Sequence, residues 1–570
     1  MLPLVPLLLA AHVALAAARP PPIPTGESQQ HLNVPVVDAI APSVVELDDA
    51  WIIGRTDLTR QVDEFRGIPY ASPAIRFERP RLHPPYEGNI YADAYGAACP
   101  QHQMRVPAWV NGSLRDSVNA VVSKVYELNV PQSEDCLTLN VARPSGARED
   151  TDLPVVFFIH GGLFQIGGAA SYDGAGVVSR SVELGQPIIF VSINYRWAIR
   201  SLLLMTPFGF IAGREAQDAG IANLGLQDQR LAMRWVQKYI RKFGGDPQKV
   251  TIWGQSAGAT SVSLHMLANG GDTEGLFRGA VMQSGGPTTV GDILDGQTHY
   301  DALIKSTGCD RSDDSIRCLK FLPYVDMKAA IDKTPNFLGV QGMALPWLPR
   351  VDGEFLRASP QEMVRQGKVA NVPFIAGNVE DEGSLFSITT RDLRTDEDVK
   401  QYLKQFILPN ATDGQLRNLL RHYPSALRAG CPFGTGSDNA VGAQTKRIAA
   451  IQGDLFFHGP RRFFLKNLAV RQKAWAFVSK RLKDTPWIGA AHATDLLNSF
   501  GDGELKDYIV RFVNNLDPHG NGTMYWPMYD PAWPRALMFQ DDPDVPVRVG
   551  DDDYRREALE AVGNLAGLLF

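Results

Sequence analysis

The sequence predicts an α/β fold, with a large, mostly parallel central sheet flanked by helices and carrying long insertions. Three observations carry that prediction. Short apolar runs recur between helical patterns, and they are apolar throughout, as strands buried on both faces are. Glycine-rich loops follow several of these runs, where a chain turns out of a strand. No Pro-, Gly- or Ser-rich linker long enough to separate domains occurs after residue 30, so the 570 residues favour one large domain, although length alone allows about three or four.

The strand-like runs, in chain order, are LPVVFFI at 153–159, PIIFVSI at 187–193, VTIW at 250–253, residues 279–282, VPFIA at 372–376 and AWAFV at 474–478. Between the second and third lies NLGLQDQRLAMRWVQKYIRKF at 223–243. There Leu226, Leu231, Met233, Trp235, Val236 and Ile240 follow roughly helical spacing until GGDP at 244–247 stops the helix. Strand, helix and strand in that alternation make a parallel sheet the economical arrangement. No internal repeat or long low-complexity segment interrupts it.

Composition narrows the class of function. A chain that is 44% hydrophobic and 21% charged has ample material for a core and does not read as disordered. Against 56 Lys and Arg stand 62 Asp and Glu, for a net charge of −6. No basic block is long enough to track a phosphate backbone, which argues against nucleic acid as a partner.

The first residues set the expected compartment. LPLVPLLLAAHVALAAA at 2–18 is too short to span a bilayer comfortably and ends in two A-x-A patterns, Ala14-Leu15-Ala16 and Ala16-Ala17-Ala18. Residues 1–18 therefore read as a secretory signal peptide, with an uncleaved anchor as the weaker alternative. Residues 19–30 read as a mobile, Pro-rich start, and 31–570 as a single catalytic domain of an extracellular protein. In an oxidising compartment the five cysteines are counted as bridges, and sequence alone favours only the local pair, Cys309 with Cys318. Sequons at Asn111, Asn410 and Asn521 are candidate N-glycosylation sites.

The strongest chemical signal is Gly254-Gln255-Ser256-Ala257-Gly258, directly after the strand VTIW and before the helix-compatible ATSVSLHML. Strand before and helix after give this G-x-S-x-G a context that a bare match lacks. The glycines permit a sharp turn with Ser256 at its apex, where a helix N-terminus favours developing negative charge. A serine nucleophile needs an anion cradle, and His160-Gly161-Gly162-Leu163-Phe164 after LPVVFFI has the form of one. It also needs a base and an orienting carboxylate. Histidines 265, 299, 422, 458, 492 and 519 follow the serine. His265 sits on the outgoing helix and His458 in a helix-like stretch; His492 lies in a loop after a late strand, where α/β active sites gather, and spacing leaves the base open. The acid is open among Glu380, Asp381 and Glu382, two of which read as members of a solvated turn.

These motifs resemble the type-B carboxylesterase, lipase and cholinesterase family, of α/β-hydrolase fold, and in particular its secreted fungal lipase-like branch. The matching pieces run through most of the chain: FRGIPYA at 65–71, SEDCLTLNV at 133–141, HGGLF at 160–164, NLGLQDQRLAMRWV at 223–236, GGDPQKVTIWGQSAGA at 244–259, GNVEDEGSLF at 377–386 and AAHATDL at 490–496. The resemblance implies Ser256 as nucleophile, Glu382 as acid and His492 as base, with oxyanion donors from Gly162, Leu163 and Ala257. It implies bridges Cys99 with Cys136 and Cys309 with Cys318, leaving Cys431 unpaired. The expected activity is hydrolysis of carboxylic esters through an acyl-enzyme, on small-molecule or lipid esters, with no metal or organic cofactor. A specialised metabolite esterase and a non-catalytic cholinesterase-like binding module are the alternatives.

Three departures and one loop refine the expectation. Leu163 stands where the family commonly has a third glycine, and its side chain is expected to narrow room on the alcohol side. Gln255 replaces a frequent glutamate. After Tyr195-Arg196 the segment WAIRSLLLMTP at 197–207 intervenes before a Phe-Gly-Phe, either as an apolar loop insertion or as an artefact of coding-sequence assembly. The loop 99–136 is a candidate lid. Val106, Trp109, Val110, Val118, Val121, Val122, Val125 and Tyr126 give it an amphipathic mix able to cover an apolar cleft or make transient contact with a lipid surface, or else to pack permanently on the core.

Overall fold

The apolar runs of the sequence form the middle of one extended sheet. A computed structural model describes residues 40–104, 106–126, 129–196 and 209–569. Residues 1–18, read above as a signal peptide, the Pro-rich stretch 19–30 and the segment 197–207 lie outside the described residues.

Thirteen strands occur among the described residues. The first five are β1 (Ile40–Leu47), β2 (Asp49–Asp57), β3 (Val62–Pro69), β4 (Glu87–Tyr91) and β5 (Thr138–Pro144). The next five are β6 (Leu153–Ile159), β7 (Ile189–Ile193), β8 (Gly245–Gln255), β9 (Gly279–Gln283) and β10 (Phe374–Val379). The last are β11 (Ala474–Ser479), β12 (Arg535–Phe539) and β13 (Val547–Asp551). The spatial order is β1-β2-β3-β5-β7-β6-β8-β9-β10-β11-β12-β13, with β4 paired to β2. From β7 through β12 every neighbouring pair is parallel, and the β1-β2-β3-β5-β7 and β12-β13 pairings are antiparallel.

Burial explains which strands the sequence announced. The six runs read as strands are β6 to β11, and β7, β9, β10 and β11 are buried at every position. The flanking β2 instead alternates exposed and buried along its first half, and β4 is almost wholly exposed, so neither shows a continuous apolar run. Hydrophobic cores lie on both faces of the sheet. On one face α1 (Leu224–Tyr239) buries Leu226, Leu231, Met233, Trp235 and Val236. It passes into a tighter turn, Ile240–Phe243, that Gly244 ends with φ 89°.

Two disulfides tie the insertions down. Cys99 is bonded to Cys136 and Cys309 to Cys318, while Cys431 is a free, buried thiol. Arg196 and Asp228 form a buried bidentate pair, both contacts at 2.7 Å. It fastens the chain leaving β7 to α1. No helix among the described residues is long and apolar enough to cross a membrane.

Candidate active site

The parallel strands bring four loops together at their C-terminal ends, where ligands of open α/β sheets gather. The chain after β6 is the glycine-rich loop 160–164, after β8 it is Ser256, after β10 it is Glu382, and the longer excursion after β11 carries His492. Strand order places β8, β9, β10 and β11 side by side, and so gathers residues more than two hundred positions apart.

Ser256 occupies the turn between β8 and α2 (Ala257–Gly271) with φ 57° and ψ −123°, a strained conformation that lifts its side chain off the strand axis. Gly258 is required there by close approach, since a Cβ would lie 1.9 Å from the Ile159 carbonyl oxygen. The Ser256 N–H donates to the Gln283 carbonyl of β9 at 2.8 Å, which fixes the turn to the neighbouring strand.

His492 Nε2 lies 2.8 Å from Ser256 Oγ, and its Nδ1 lies 2.6 Å from Glu382 Oε2. The other carboxylate oxygen of Glu382 accepts from the Val379 N–H and from Asn378 Nδ2, both at 3.0 Å. All three side chains are buried, Ser256 being 2% exposed. The ring of Phe457 packs on the imidazole with centroids 4.6 Å apart, and Phe386 does so at 5.2 Å. A base oriented by a carboxylate and walled by aromatic rings can take a proton from the hydroxyl without competition from bulk water.

A second carboxyl, Asp495, sits in the same interior. Burial, followed by the nearby charge of Glu382, pushes it up to about 7. Its Oδ2 accepts from Gln283 Nε2 at 3.0 Å, and its Oδ1 has no partner. Two acids so close are separated by environment, one hydrogen-bonded and facing His492, the other biased towards its neutral form. Nothing in the sequence distinguished Asp495.

The three acids after β10 do different things. Glu380 pairs with Lys480 and Lys483 at 2.6 and 2.7 Å. Asp381 departs from the expectation of a solvated turn, because it is fully buried. It accepts from the N–H groups of Ala490 and Phe433 at 2.9 and 2.8 Å and from Lys483 Nζ at 2.7 Å, while its own N–H donates to the Ala490 carbonyl at 3.0 Å. Asp381 thus staples the loop two residues before His492 to the loop of Glu382. The run of acids in the sequence hid this role.

The loop after β6 has left-handed backbone at three successive residues, with φ of 115° at Gly162, 57° at Leu163 and 56° at Phe164. A Cβ on Gly162 would overlap the Ile166 carbonyl. Leu163 holds a conformation that favours glycine, at a cost of order 1 kcal/mol. Among the described residues no acceptor takes the N–H of Gly162 or Leu163. The Ala257 N–H stands at the first position of α2, where no helical carbonyl reaches it. Three N–H groups on the two loops that flank Ser256 are thereby free to meet an acceptor.

Leu163, Phe164, Ser256, Ala257, Met343 and Phe457 are among the walls of a cavity beside the nucleophile. Its mainly apolar lining suits an acyl or alkyl group. The remaining histidines lie elsewhere. His265 bonds Gln229 Oε1 at 2.8 Å and His458 bonds the Tyr554 hydroxyl at 2.9 Å, both buried.

The profile of the carboxylesterase family matches residues 41–555. The chain belongs to the carboxylesterase family. This carboxylesterase is 36% identical over 547 residues to Lipase 4 of Diutina rugosa, covering 93% of its own length and 97% of the relative. It is 39% identical over 523 residues to Secreted lipase 1 of Botryotinia fuckeliana (strain B05.10), covering 87% and 89%. Among solved structures, Aspergillus niger EstA superposes with a TM-score of 0.76 at 27% identity, covering 92% of this chain and 99% of that one. The carboxylesterase has the α/β-hydrolase fold and hydrolyses carboxylic esters.

Proposed function

We propose that Ser256 attacks the ester carbonyl while His492 takes its proton, and that Glu382 stabilises the imidazolium so formed. The N–H groups of Gly162, Leu163 and Ala257 hold the oxyanion. Collapse of the tetrahedral intermediate breaks the bond to the alcohol, which leaves with the proton from His492. Water, activated by the same imidazole, then releases the acid from Ser256. The observation that carries this reading is the continuous contact from Glu382 through His492 to Ser256 at 2.6 and 2.8 Å.

The substrates in this proposal are lipid or long-chain acyl esters and the protein is secreted. The apolar cavity beside Ser256 supports the first point, as do relatives named as lipases. The apolar residues 2–18, two disulfides and a relative named as secreted support the second. Asn111, Asn410 and Asn521 are exposed, as glycan acceptors must be.

The loop closed by Cys99 and Cys136 is the lid in this reading. Its helix Gly112–Tyr126 buries Leu114, Val118 and Val121. Trp487 Nε1, in the excursion that carries His492, donates to Ser113 Oγ at 3.0 Å, and Arg391 stacks on Trp109 at 4.3 Å. The helix rests on the molecule through this apolar face, the kind of contact that release at a lipid surface exchanges for lipid. A panel of acyl esters of increasing chain length tests the substrate class and the lid together. Preference for long chains with an abrupt rise in rate above the solubility limit supports a lipid esterase with a moving lid. Best turnover of short soluble esters, with smooth saturation through that limit, overturns it.

A further inference from the structure

The cavity beside Ser256 contains one polar feature that its apolar walls do not explain. Thr288 and Thr289, on the loop that follows β9, both line it. The Thr288 hydroxyl donates to the Phe456 carbonyl at 3.3 Å. Thr289 is 7% exposed, and its buried Oγ1 has no hydrogen-bond partner. Among the described residues lining the cavity it is the one whose buried side-chain polar atom is left unpaired. An unpaired buried hydroxyl is costly, and valine would fill the same shape without that cost. The hydroxyl is therefore placed to meet a polar group carried by whatever occupies the cavity.

Both groups of the ester lie next to Ser256 during the reaction, and the leaving alcohol must also stay within reach of His492, which protonates it. The cavity, walled by Leu163, Ser256 and Ala257, is assigned here to the acyl part.

We infer that this esterase selects acyl groups bearing a hydroxyl, which exchanges a hydrogen bond with Thr289 Oγ1 inside an otherwise apolar pocket. The inference rests on the reading of Ser256 as nucleophile, and it narrows the substrate class to hydroxy-acyl esters. A hydroxyl at the matching carbon pairs with Thr289, and one held against the apolar part of the lining is penalised.

The test measures kcat/KM for methyl octanoate and for the series of methyl octanoates carrying one hydroxyl at each successive carbon. Wild-type enzyme, Thr289→Val and Thr289→Ser are compared. The expected result is one position preferred over the plain chain by about tenfold in the wild type, the size of one net buried hydrogen bond. Thr289→Ser keeps that preference. Thr289→Val brings the ratio for that ester below one, and taking the ratio between variants cancels any intrinsic reactivity of the hydroxy ester. A wild type that prefers no hydroxylated position overturns the inference, as does a preference that survives in Thr289→Val. Turnover of plain methyl octanoate reads the nucleophile assignment separately, so failure of one reading is distinguishable from failure of the other.

Discussion

Replacing Glu382 by glutamine tests the orientation of the base with little change in shape. In the native site one oxygen of Glu382 accepts from the Val379 N–H and Asn378 Nδ2 at 3.0 Å each, and the other lies 2.6 Å from His492 Nδ1. The two donors will hold the glutamine carbonyl where Oε1 now sits, so the amide nitrogen must take the place facing His492. An amide N–H₂ can only donate, and Nδ1 must then accept. The ring proton moves to Nε2 and points at Ser256 Oγ, the atom it should deprotonate. Loss of the charge-assisted bond alone is worth about 1.5–3 kcal/mol, or roughly 10- to 100-fold in rate. The wrong tautomer adds to this, and a comparable carboxylate-to-amide change in a serine protease triad lowers kcat about 10⁴-fold. The expected loss is therefore near 10⁴-fold in kcat on a soluble ester, with KM and thermal midpoint nearly unchanged. Glu382→Asp, which keeps the charge but withdraws it by one methylene, should lose less. A folded Glu382→Gln enzyme whose kcat stays within about tenfold of wild type would refute the assigned role.

Leu163→Gly should raise the rate on esters of bulky tertiary alcohols relative to primary ones. It removes a side chain that stands beside Ser256, next to the scissile bond and so to both groups that the bond joins, and places glycine at a φ of 57° that glycine adopts freely. An unchanged ratio of the two rates counts against Leu163 as the constriction. A third expectation concerns stability. With its folded pKa raised to about 7 by burial, Asp495 keeps its proton in the folded protein while the unfolded chain ionises near 4. Its contribution is complete below about 4 and is lost as pH rises towards 7. Asp495→Asn removes that loss, so its thermal midpoint should improve relative to wild type between pH 5 and pH 8, and a difference independent of pH would contradict the buried neutral acid.

Much of the site was legible because it rests on local patterns. The elbow at Ser256 needs a strand, two glycines and a helix in immediate succession, and VTIWGQSAGAT shows all three. The strands β6 to β11 announce themselves because burial on both faces leaves no polar positions to interrupt an apolar run. The acid and the base were harder, because their roles depend on β8, β9, β10 and β11 lying side by side, and only the family resemblance chose between Glu380, Asp381 and Glu382. Asp381 shows the limit clearly. A buried staple and a solvated turn residue are the same letter, and what separates them is the pair of distant N–H groups at Phe433 and Ala490. Asp495 and Thr289 were invisible for a related reason, since an unpaired buried polar atom is defined by what surrounds it. The strands outside the central parallel run escaped because β2 alternates and β4 is exposed.

The most direct test of the account is covalent. Folded protein is incubated with an organophosphonate ester probe, and its intact mass and tryptic peptides are measured. The account predicts one equivalent of phosphonyl group on Ser256, none in Ser256→Ala, and labelling strongly slowed in His492→Ala. Folded wild-type protein that takes up no label, or carries it on a residue other than Ser256, would contradict the assignment on which the mechanism stands.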